Sequence, residues 1–295
     1  MELRQLKTFR AVAHLNSFQE AARVLHYAQS TVSEQIKSLE SDLNVELFKR
    51  KGKQIRITES GELLLQYAQR MLSLEEEIRT EIITKDSLHG SVTLRVPETI
   101  STYLLPPALY AFHQEYPKIQ FNLQTCSYFS LQQELRSGII QIGFLITDDP
   151  FLMVDLITRV VGSLQLILVS HPENPLAAKN KVTAQDIESE LLLFPKEDCS
   201  YSMILNRILI REKVSPDKNM YFNSIEAIKH CIMAGTGITI IPEISVKAEL
   251  DAGKLVRLSW FEDPVMANVL MIYLKQKWIS PNLQACIDHF SKMLR

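Results

Sequence analysis

Residues 17–40 have the sequence SFQEAARVLHYAQSTVSEQIKSLE, and this stretch decides the fold of the N-terminal region. Ser17 and Glu20 form the S-x-x-E pattern of a capping box, which predicts that a short helix begins there. Its buried stripe is expected to consist of Phe18, Ala21, Ala22 and Leu25. After the break at residues 26–28, apolar residues at spacings of four, three and four predict a second helix, namely Val32, Ile36, Leu39 and Leu43. The pair forms a predicted helix-turn-helix.

The segments on either side complete a small module. Before it, Leu3, Leu6, Phe9 and Ala13 lie on one face of a predicted first helix that ends near Asn16. After it, residues 54–57 alternate polar and apolar like a strand, and a Gly turn precedes them. Basic side chains surround this predicted hairpin, namely Lys49, Arg50, Lys51, Lys53 and Arg56. A basic hairpin next to a helix-turn-helix is typical of a wing.

Thr58 suits an N-cap, and no proline occurs from Glu59 to Ser87, so one long helix is predicted there. Its apolar stripe consists of Leu64, Tyr67, Ala68, Met71, Leu74, Ile78 and Ile82. This stripe packs either on its own domain or on a second copy of the chain. The length of the helix favours the second copy, and hence a homodimer.

Beyond His89-Gly90 the chain alternates strands and amphipathic segments, which predicts an α/β fold. Strands are predicted at residues 92–96, 120–126, 141–146, 164–170, 237–241 and 269–274. Helices are predicted at residues 104–114, at residues 131–136, and after Ser280-Pro281 at the end of the chain. We therefore expect a DNA-binding domain at residues 1–58, a linker and dimerisation helix at 59–88, and an α/β domain at 89–295.

Composition limits the function classes. The 295 residues are 46% hydrophobic and contain no apolar run long enough to span a bilayer, so we expect a cytoplasmic protein that does not associate with membranes. Residues 1–58 contain ten Lys and Arg against six Asp and Glu, whereas the whole chain carries a net charge of −2. A small basic module therefore precedes an acidic body.

Enzymes form the main competing class, because α/β folds host many chemistries. The sequence lacks a G-x-S-x-G elbow, a phosphate-binding loop and an H-E-x-x-H motif, so we predict no catalytic residues and no cofactor. The four cysteines show neither C-x-x-C pairs nor zinc-site spacing, so we predict no metal.

With these landmarks in order, the whole chain resembles the LysR-type transcriptional regulators. The resemblance rests on residues 3–9 (LRQLKTF), 17–22 (SFQEAA), 29–40 (QSTVSEQIKSLE), 47–50 (LFKR), 104–106 (LLP) and 234–242 (AGTGITIIP). Two departures are Glu34, where many relatives have Arg, and Gln141, where many have Asp. The resemblance implies regulation of transcription, an α/β domain with two lobes like those of periplasmic binding proteins, and assembly to homotetramers.

The second helix of the helix-turn-helix is the predicted recognition helix, because short polar side chains near a helix N-terminus can reach base edges in the major groove of double-stranded DNA. Gln29 suits adenine, the Thr31 methyl suits thymine, and Glu34 can accept from cytosine. The predicted DNA contacts are Gln29, Ser30, Thr31, Ser33, Glu34, Lys37 and, in the wing, Arg50, Lys51 and Lys53. The competing interpretation is a solvated helix face. The basic wing favours DNA, since phosphate contacts explain why so many cations are concentrated there.

The resemblance places lobe I at about residues 90–161 and 267–295, and lobe II at about 162–266. A small effector is expected between them, at strand ends that face helix N-termini, where free N–H groups favour an anion. Three loops carry the predicted effector contacts, namely Thr99, Ser101 and Thr102; Thr125, Ser127 and Ser130; and Asn223 and Ser224. Each hydroxyl can instead simply cap a helix.

A second kind of signal is redox, in which Cys199 acts with Cys231 or Cys126, as some family members sense peroxide through cysteines. Plain buried or idle thiols are the simpler interpretation.

Overall fold

The fold is known from a computed structural model that describes residues 1–51, 54–83, 88–125, 130–148, 153–195, 200–216, 218–260, 264–276 and 279–293. The chain divides into two units. The N-terminal unit comprises Met1–Gly90 with Arg136–Ile139, and the C-terminal unit comprises Ser91–Leu135 with Ile140–Arg295.

The N-terminal unit contains the predicted helices and hairpin. Its elements are α1 (Leu3–Leu15), α2 (Phe18–Leu25), α3 (Gln29–Leu43), β1 (Phe48–Lys51), β2 (Gln54–Ile57) and α4 (Glu59–Ile83). Thr58 is the predicted cap of α4, because its Oγ1 accepts a hydrogen bond from the Gly61 N–H at 3.0 Å.

Only half of the predicted capping box forms at α2. The Ser17 hydroxyl accepts a hydrogen bond from the Glu20 N–H at 3.2 Å. The Glu20 carboxylate does not return the bond, because it pairs with the Arg23 guanidinium at 2.7 Å. Ser17 therefore begins the helix alone, and the reciprocal half of the prediction is wrong.

One apolar core joins the helices of this unit. Its buried residues include Leu6, Phe9, Val12, Ala21, Ala22, Val32, Ile36 and Leu39. Two polar contacts fix α1 against α3: the Thr8 hydroxyl donates to Gln35 Oε1 at 2.6 Å, and the Gln5 amide donates to Ser38 Oγ at 3.0 Å. Leu43, predicted in the buried stripe, is exposed because it lies in the last turn of α3, beyond the part of the helix that covers the core.

The C-terminal part of the chain forms one large mixed sheet. Its strands are β3 (Gly90–Val96), β4 (Ile119–Thr125), β5 (Ile142–Thr147), β6 (Leu156–Ser170), β7 (Leu191–Pro195), β8 (Lys218–Phe222), β9 (Ile238–Pro242), β10 (Val256–Arg257) and β11 (Val265–Leu274). The strand order is β4-β3-β5-β11-β6-β9-β7-β8, and β10 pairs with β6. The long antiparallel strands β6 and β11 run from Leu156 opposite Leu274 to Leu166 opposite Val265.

These two strands connect two lobes. Lobe I is built on β3, β4 and β5, and lobe II on β7, β8 and β9. The helices are α5 (Leu105–Glu115), α6 (Leu131–Arg136), α7 (Ser200–Arg211), α8 (Ile225–Met233), α9 (Lys247–Asp251) and α10 (Pro281–Met293), and a π-helical turn spans Ile100–Leu104. Among the described helices, none is both long and apolar enough to cross a membrane.

The six predicted strands are present, but β7, β8 and β10 were not predicted. β7 is a short run of apolar residues, which periodicity cannot separate from a buried helix segment. β8 is largely exposed at the edge of the sheet, so it lacks the buried apolar run by which the other strands were predicted. β6 begins at Leu156 rather than Leu164, since its first half is held by pairing with β11 rather than by a continuous apolar pattern.

Candidate nucleic-acid interface and effector cleft

Helix α3 presents one polar side to solvent and packs the other into the core. Gln29, Ser30, Glu34 and Lys37 are exposed, and Thr31 and Ser33 are half-buried. The Gln29 amide donates to Ser33 Oγ at 2.9 Å, which aligns two of these side chains along the helix. All six predicted residues of the recognition helix are therefore at least partly accessible to solvent.

The start of α3 is open. Its N-cap is Ala28, which offers no side-chain acceptor, and the first turn contains no acidic residue. The first N–H groups of a helix carry partial positive charge and need acceptors from outside the helix. This end of α3 is thus suited to an anionic partner such as a phosphate.

The hairpin is held against the helices by its first residue. The Phe48 ring lies 5.4 Å from that of Phe9 and 5.9 Å from that of Phe18, measured between centroids. Lys49 lies directly opposite Arg56 in the β1–β2 ladder, and both side chains are exposed. Of the predicted wing contacts, Arg50 and Lys51 are described only as backbone of β1, and Lys53 lies outside the described residues.

The apolar stripe of α4 divides into two faces. Ala68 and Leu72 are buried in the core of the N-terminal unit, and the partly buried Leu64 packs against it. A second row faces solvent at spacings of four, four, three and four, and consists of Leu63, Tyr67, Met71, Leu74 and Ile78. The side chain of Ile82 lies outside the described residues. We call this exposed row the α4 stripe.

The structure places the predicted effector residues in different settings. Thr99 is fully buried, Ser101 is half-buried and donates to the carbonyl of Glu98, and Thr102 and Asn223 are exposed. Ser130 precedes α6, where its carbonyl accepts from the Glu134 N–H at 3.0 Å. The side chain of Thr125 and all of Ser127 lie outside the described residues.

The first and third predicted loops meet through a residue that sequence reasoning missed. Glu98 follows β3 in lobe I, and its Oε1 accepts from the hydroxyl of Ser224 in lobe II at 3.1 Å. Its Oε2 accepts from the N–H of Ile225, the first residue of α8, at 3.0 Å. Ser224 makes no side-chain cap for its own helix. The carboxylate of lobe I therefore caps the helix of lobe II.

A second contact joins the same two segments. The Tyr103 hydroxyl, in the π-helical turn, donates to the Glu226 carboxylate, and the Lys229 ammonium lies 3.0 Å from that carboxylate and 3.2 Å from the Tyr103 oxygen. Lys229 is 5% exposed and also pairs with Glu249 at 2.8 Å. We call these four residues, together with Glu98 and Ser224, the lobe clasp.

The ionisation of the clasp follows from these contacts. Burial acts to lower the pKa of Lys229, but hydrogen bonds to Glu249, Glu226 and Tyr103 outweigh it and raise the pKa. Burial and the bond to Glu226 raise the pKa of Tyr103. Burial acts to raise the pKa of Glu226, but the bonds from Tyr103 and Lys229 lower it overall. Within the clasp, these shifts favour a charged Lys229, an ionised Glu226 and a neutral Tyr103 phenol.

No local pattern predicts this clasp. Glu98 and Ser224 lie 126 positions apart in the chain, and the Tyr103 to Lys229 contact spans the same separation. The one available indication was the polar character of residues 98–103 directly after an apolar strand. Ser202 was also missed: it is buried in α7, and its hydroxyl has no hydrogen-bond partner among the described residues.

The described part of the chain contains few residues suited to thiol chemistry or to metal binding. Cys286 is buried, and burial raises the pKa of its thiol to about 12. Cys231 is a half-buried free thiol on α8, whereas Cys126 and Cys199 lie outside the described residues. Among described residues, no group of three His, Cys, Asp or Glu side chains is arranged to hold a metal ion.

Comparison with known proteins identifies the family. Residues 3–62 match the bacterial regulatory helix-turn-helix protein of the lysR family, and residues 85–295 match the LysR substrate binding domain. The chain is a LysR-type, DNA-binding transcriptional regulator with an effector-binding domain, in a family of regulators rather than enzymes.

Relatives agree over the whole length. The chain is 36% identical over 294 residues to YwqM, an uncharacterized HTH-type transcriptional regulator of Bacillus subtilis, covering 98% of each chain. It is 28% identical over 290 residues to the HTH-type transcriptional regulator GltR of Bacillus subtilis, covering 98% of this chain and 96% of GltR. The crystal structure of full-length CbnR with its target DNA shares the fold, with a TM-score of 0.73, 23% identity, and coverage of 99% of this chain and 100% of CbnR.

Proposed function

We propose that this regulator acts in the cytoplasm, binds a double-stranded operator through α3 and the wing, and changes its effect on transcription when a small molecule binds between the two lobes. In this proposal residues 1–58 bind DNA, 59–88 form the linker helix, and 89–295 bind the effector. The observation that carries it is the exposed polar side of α3, whose opposite side packs into a buried core.

The face of α3 fits direct base recognition. Gln29 and Ser33 lie at the open start of the helix, where side chains enter the major groove in helix-turn-helix proteins. Lys37 lies further along, within reach of phosphates. CbnR has been crystallised in complex with its target DNA, which supports the same use of the shared fold here.

The α4 stripe supports a homodimer. The row is about half exposed on a helix 25 residues long, and Tyr67, Met71, Leu74 and Ile78 have the four-three-four spacing of a coiled-coil seam. Two DNA-binding units then contact two half-sites, which gives the specificity that one unit lacks. We propose that further association of such dimers produces a homotetramer.

The effector is proposed to contact the loops around Thr99 to Thr102, Thr125 to Ser130 and Asn223 to Ser224. Glu98 and Ser224 support this location, since they bring the first and third loops together across the lobes. An anionic effector cannot simply bind at the start of α8, because the Glu98 carboxylate already lies there.

DNA recognition is tested by selecting bound duplexes from a random library and measuring their affinity by fluorescence anisotropy. Gln29→Ala and Ser33→Ala should each relax sequence preference, at about 1–3 kcal/mol per lost base contact. Lys51→Ala should weaken binding to every sequence and flatten the salt dependence. Ser41→Ala, an exposed change at the far end of α3, is the control. Unchanged affinity and preference in all three test variants would refute the interface.

A further inference from the structure

The start of α8 is the position at which a free anion is expected to bind, and a side chain of the protein already occupies it. The α8 N–H groups need acceptors because no preceding turn supplies carbonyls. Ser224 supplies none from its side chain, so Glu98 is the acceptor at the Ile225 N–H. A carboxylate suits this end of the helix because the helix dipole favours negative charge there.

Glu98 also joins the two lobes. Its two oxygens accept from two groups of lobe II, the Ser224 hydroxyl and the Ile225 N–H. The second arm of the clasp, from Tyr103 to Glu226 and Lys229, starts five residues further along and reaches the same helix. Glu226 is engaged by Lys229 and Tyr103, so Glu98 is the carboxylate that serves the α8 N-terminus.

The neighbour of Glu98 provides an independent observation. Thr99 is fully buried, and its hydroxyl has no hydrogen-bond partner among the described residues. A buried hydroxyl without a partner costs free energy, which a ligand atom bound next to it relieves. The segment that contributes the clasping carboxylate thus also contributes a hydroxyl that is unsatisfied while the clasp is closed.

We propose that Glu98 is an internal competitor for a carboxylate effector: an incoming carboxylate takes its place at Ser224 and Ile225 and thereby releases the Glu98 arm of the lobe clasp. This inference rests on the effector site proposed above and names the chemical group that the site takes. The apparent affinity for such a ligand is reduced by the fraction of molecules in which Glu98 holds the site. Binding changes the contact between the lobes because ligand and Glu98 exclude each other.

The test uses the full-length protein and two probes, sodium acetate and sodium succinate, with sodium chloride at equal ionic strength as the reference. Thermal unfolding is followed as each salt is titrated, and the midpoint shift gives the apparent Kd. Glu98→Ala should bind the carboxylates about 10- to 100-fold more tightly than the unsubstituted protein. The Glu98 carboxylate then no longer competes with the probe for the hydrogen bonds of Ser224 and Ile225.

Two further variants sharpen this result. Glu98→Gln keeps an oxygen that can accept from the Ile225 N–H but removes the charge, so it should bind the probes with intermediate affinity. It also keeps the test valid if Glu98→Ala does not fold. Glu188→Ala removes an exposed carboxylate of lobe II and should behave like the unsubstituted protein.

Equal probe affinity in the unsubstituted protein and both Glu98 variants would overturn the inference, and so would the failure of both variants to bind either probe. Binding to a labelled random duplex is measured for each variant in parallel. Loss of DNA binding by the unsubstituted protein would count against the proposed function, whereas a failed carboxylate titration with intact DNA binding would count against the role of Glu98 alone.

Discussion

Helices α3 and α8 begin in opposite ways. The start of α3 has an alanine N-cap, no side-chain acceptor and exposed neighbours, whereas the start of α8 is capped by a carboxylate from another lobe. Both ends carry the same partial positive charge. The N-terminal unit therefore leaves its helix end open to a partner, while the effector domain satisfies the corresponding end internally.

The contrast extends to the surrounding surfaces. The α4 stripe is apolar and exposed, and on the polar side of α3 the Gln29 amide bonds to Ser33 within the same helix. In the effector domain the polar groups bond to one another. Glu98 accepts from the Ile225 N–H, and Lys229 donates to Tyr103 and Glu226. An open site shows its chemistry in consecutive residues, whereas a site closed by its own side chains becomes visible only when distant residues are brought together.

If the effector domain depends on internal contacts, a change inside it should have the largest effect on stability. Gly237 has a φ of +75°, and an added Cβ would lie 2.1 Å from the carbonyl oxygen of Leu191. Gly237→Ala should therefore destabilise this domain by more than about 3 kcal/mol, because both backbone strain and a backbone clash oppose it. Urea unfolding of the full-length protein measures the loss.

Gly235 is the matched control, since its φ is +83° but nothing lies within 4 Å of an added Cβ. Gly235→Ala should cost only the strain of the left-handed conformation, about 1–2 kcal/mol. Equal losses in the two variants would show that the close approach at Gly237 is unimportant.

If the N-terminal unit works through surfaces left open, a charge on the α4 stripe should break assembly without unfolding the unit. Met71→Glu places a carboxylate in an apolar seam, where it loses hydration without gaining a partner. We expect the dimer Kd to rise by at least about 100-fold, which corresponds to about 2.7 kcal/mol. Analytical ultracentrifugation measures the change, and circular dichroism checks the fold.

Gln66→Glu adds the same charge to α4 away from the α4 stripe and should leave the dimer intact. An intact Met71→Glu dimer would mean that the stripe serves another purpose.

The smallest expected effect concerns the unsatisfied hydroxyl beside Glu98. Thr99→Val replaces a buried group that has no hydrogen-bond partner among the described residues, so it should stabilise the effector-free protein by about 1 kcal/mol. Thr239→Val is the contrasting change, because its hydroxyl is buried and donates to the Leu193 carbonyl at 2.6 Å. That variant should lose about 1–3 kcal/mol. Destabilisation by both substitutions would show that Thr99 is satisfied in solution.

Much of the N-terminal unit could be predicted from the sequence because its contacts are local or periodic. The spacing of Val32, Ile36 and Leu39 indicated the buried side of α3 and therefore its exposed side. The Thr58 cap was predicted from one residue and its neighbours. The apolar residues of α4 were predicted as one seam, but the structure divides them, because Leu64 and Ala68 face the unit's own core whereas the α4 stripe is exposed.

By itself, the sequence determined the helix-turn-helix, the wing, the long α4 helix and an α/β domain, since helical and strand periodicity depend on residues a few positions apart. Only the tertiary structure decided that Glu98 caps α8, that Tyr103 meets Lys229, and that the first half of β6 pairs with β11. These contacts join residues more than 100 positions apart, and they form only because the sheet brings the two lobes together. Hydrogen bonds of this kind depend on distances of about 3 Å, which no local pattern of residue types specifies.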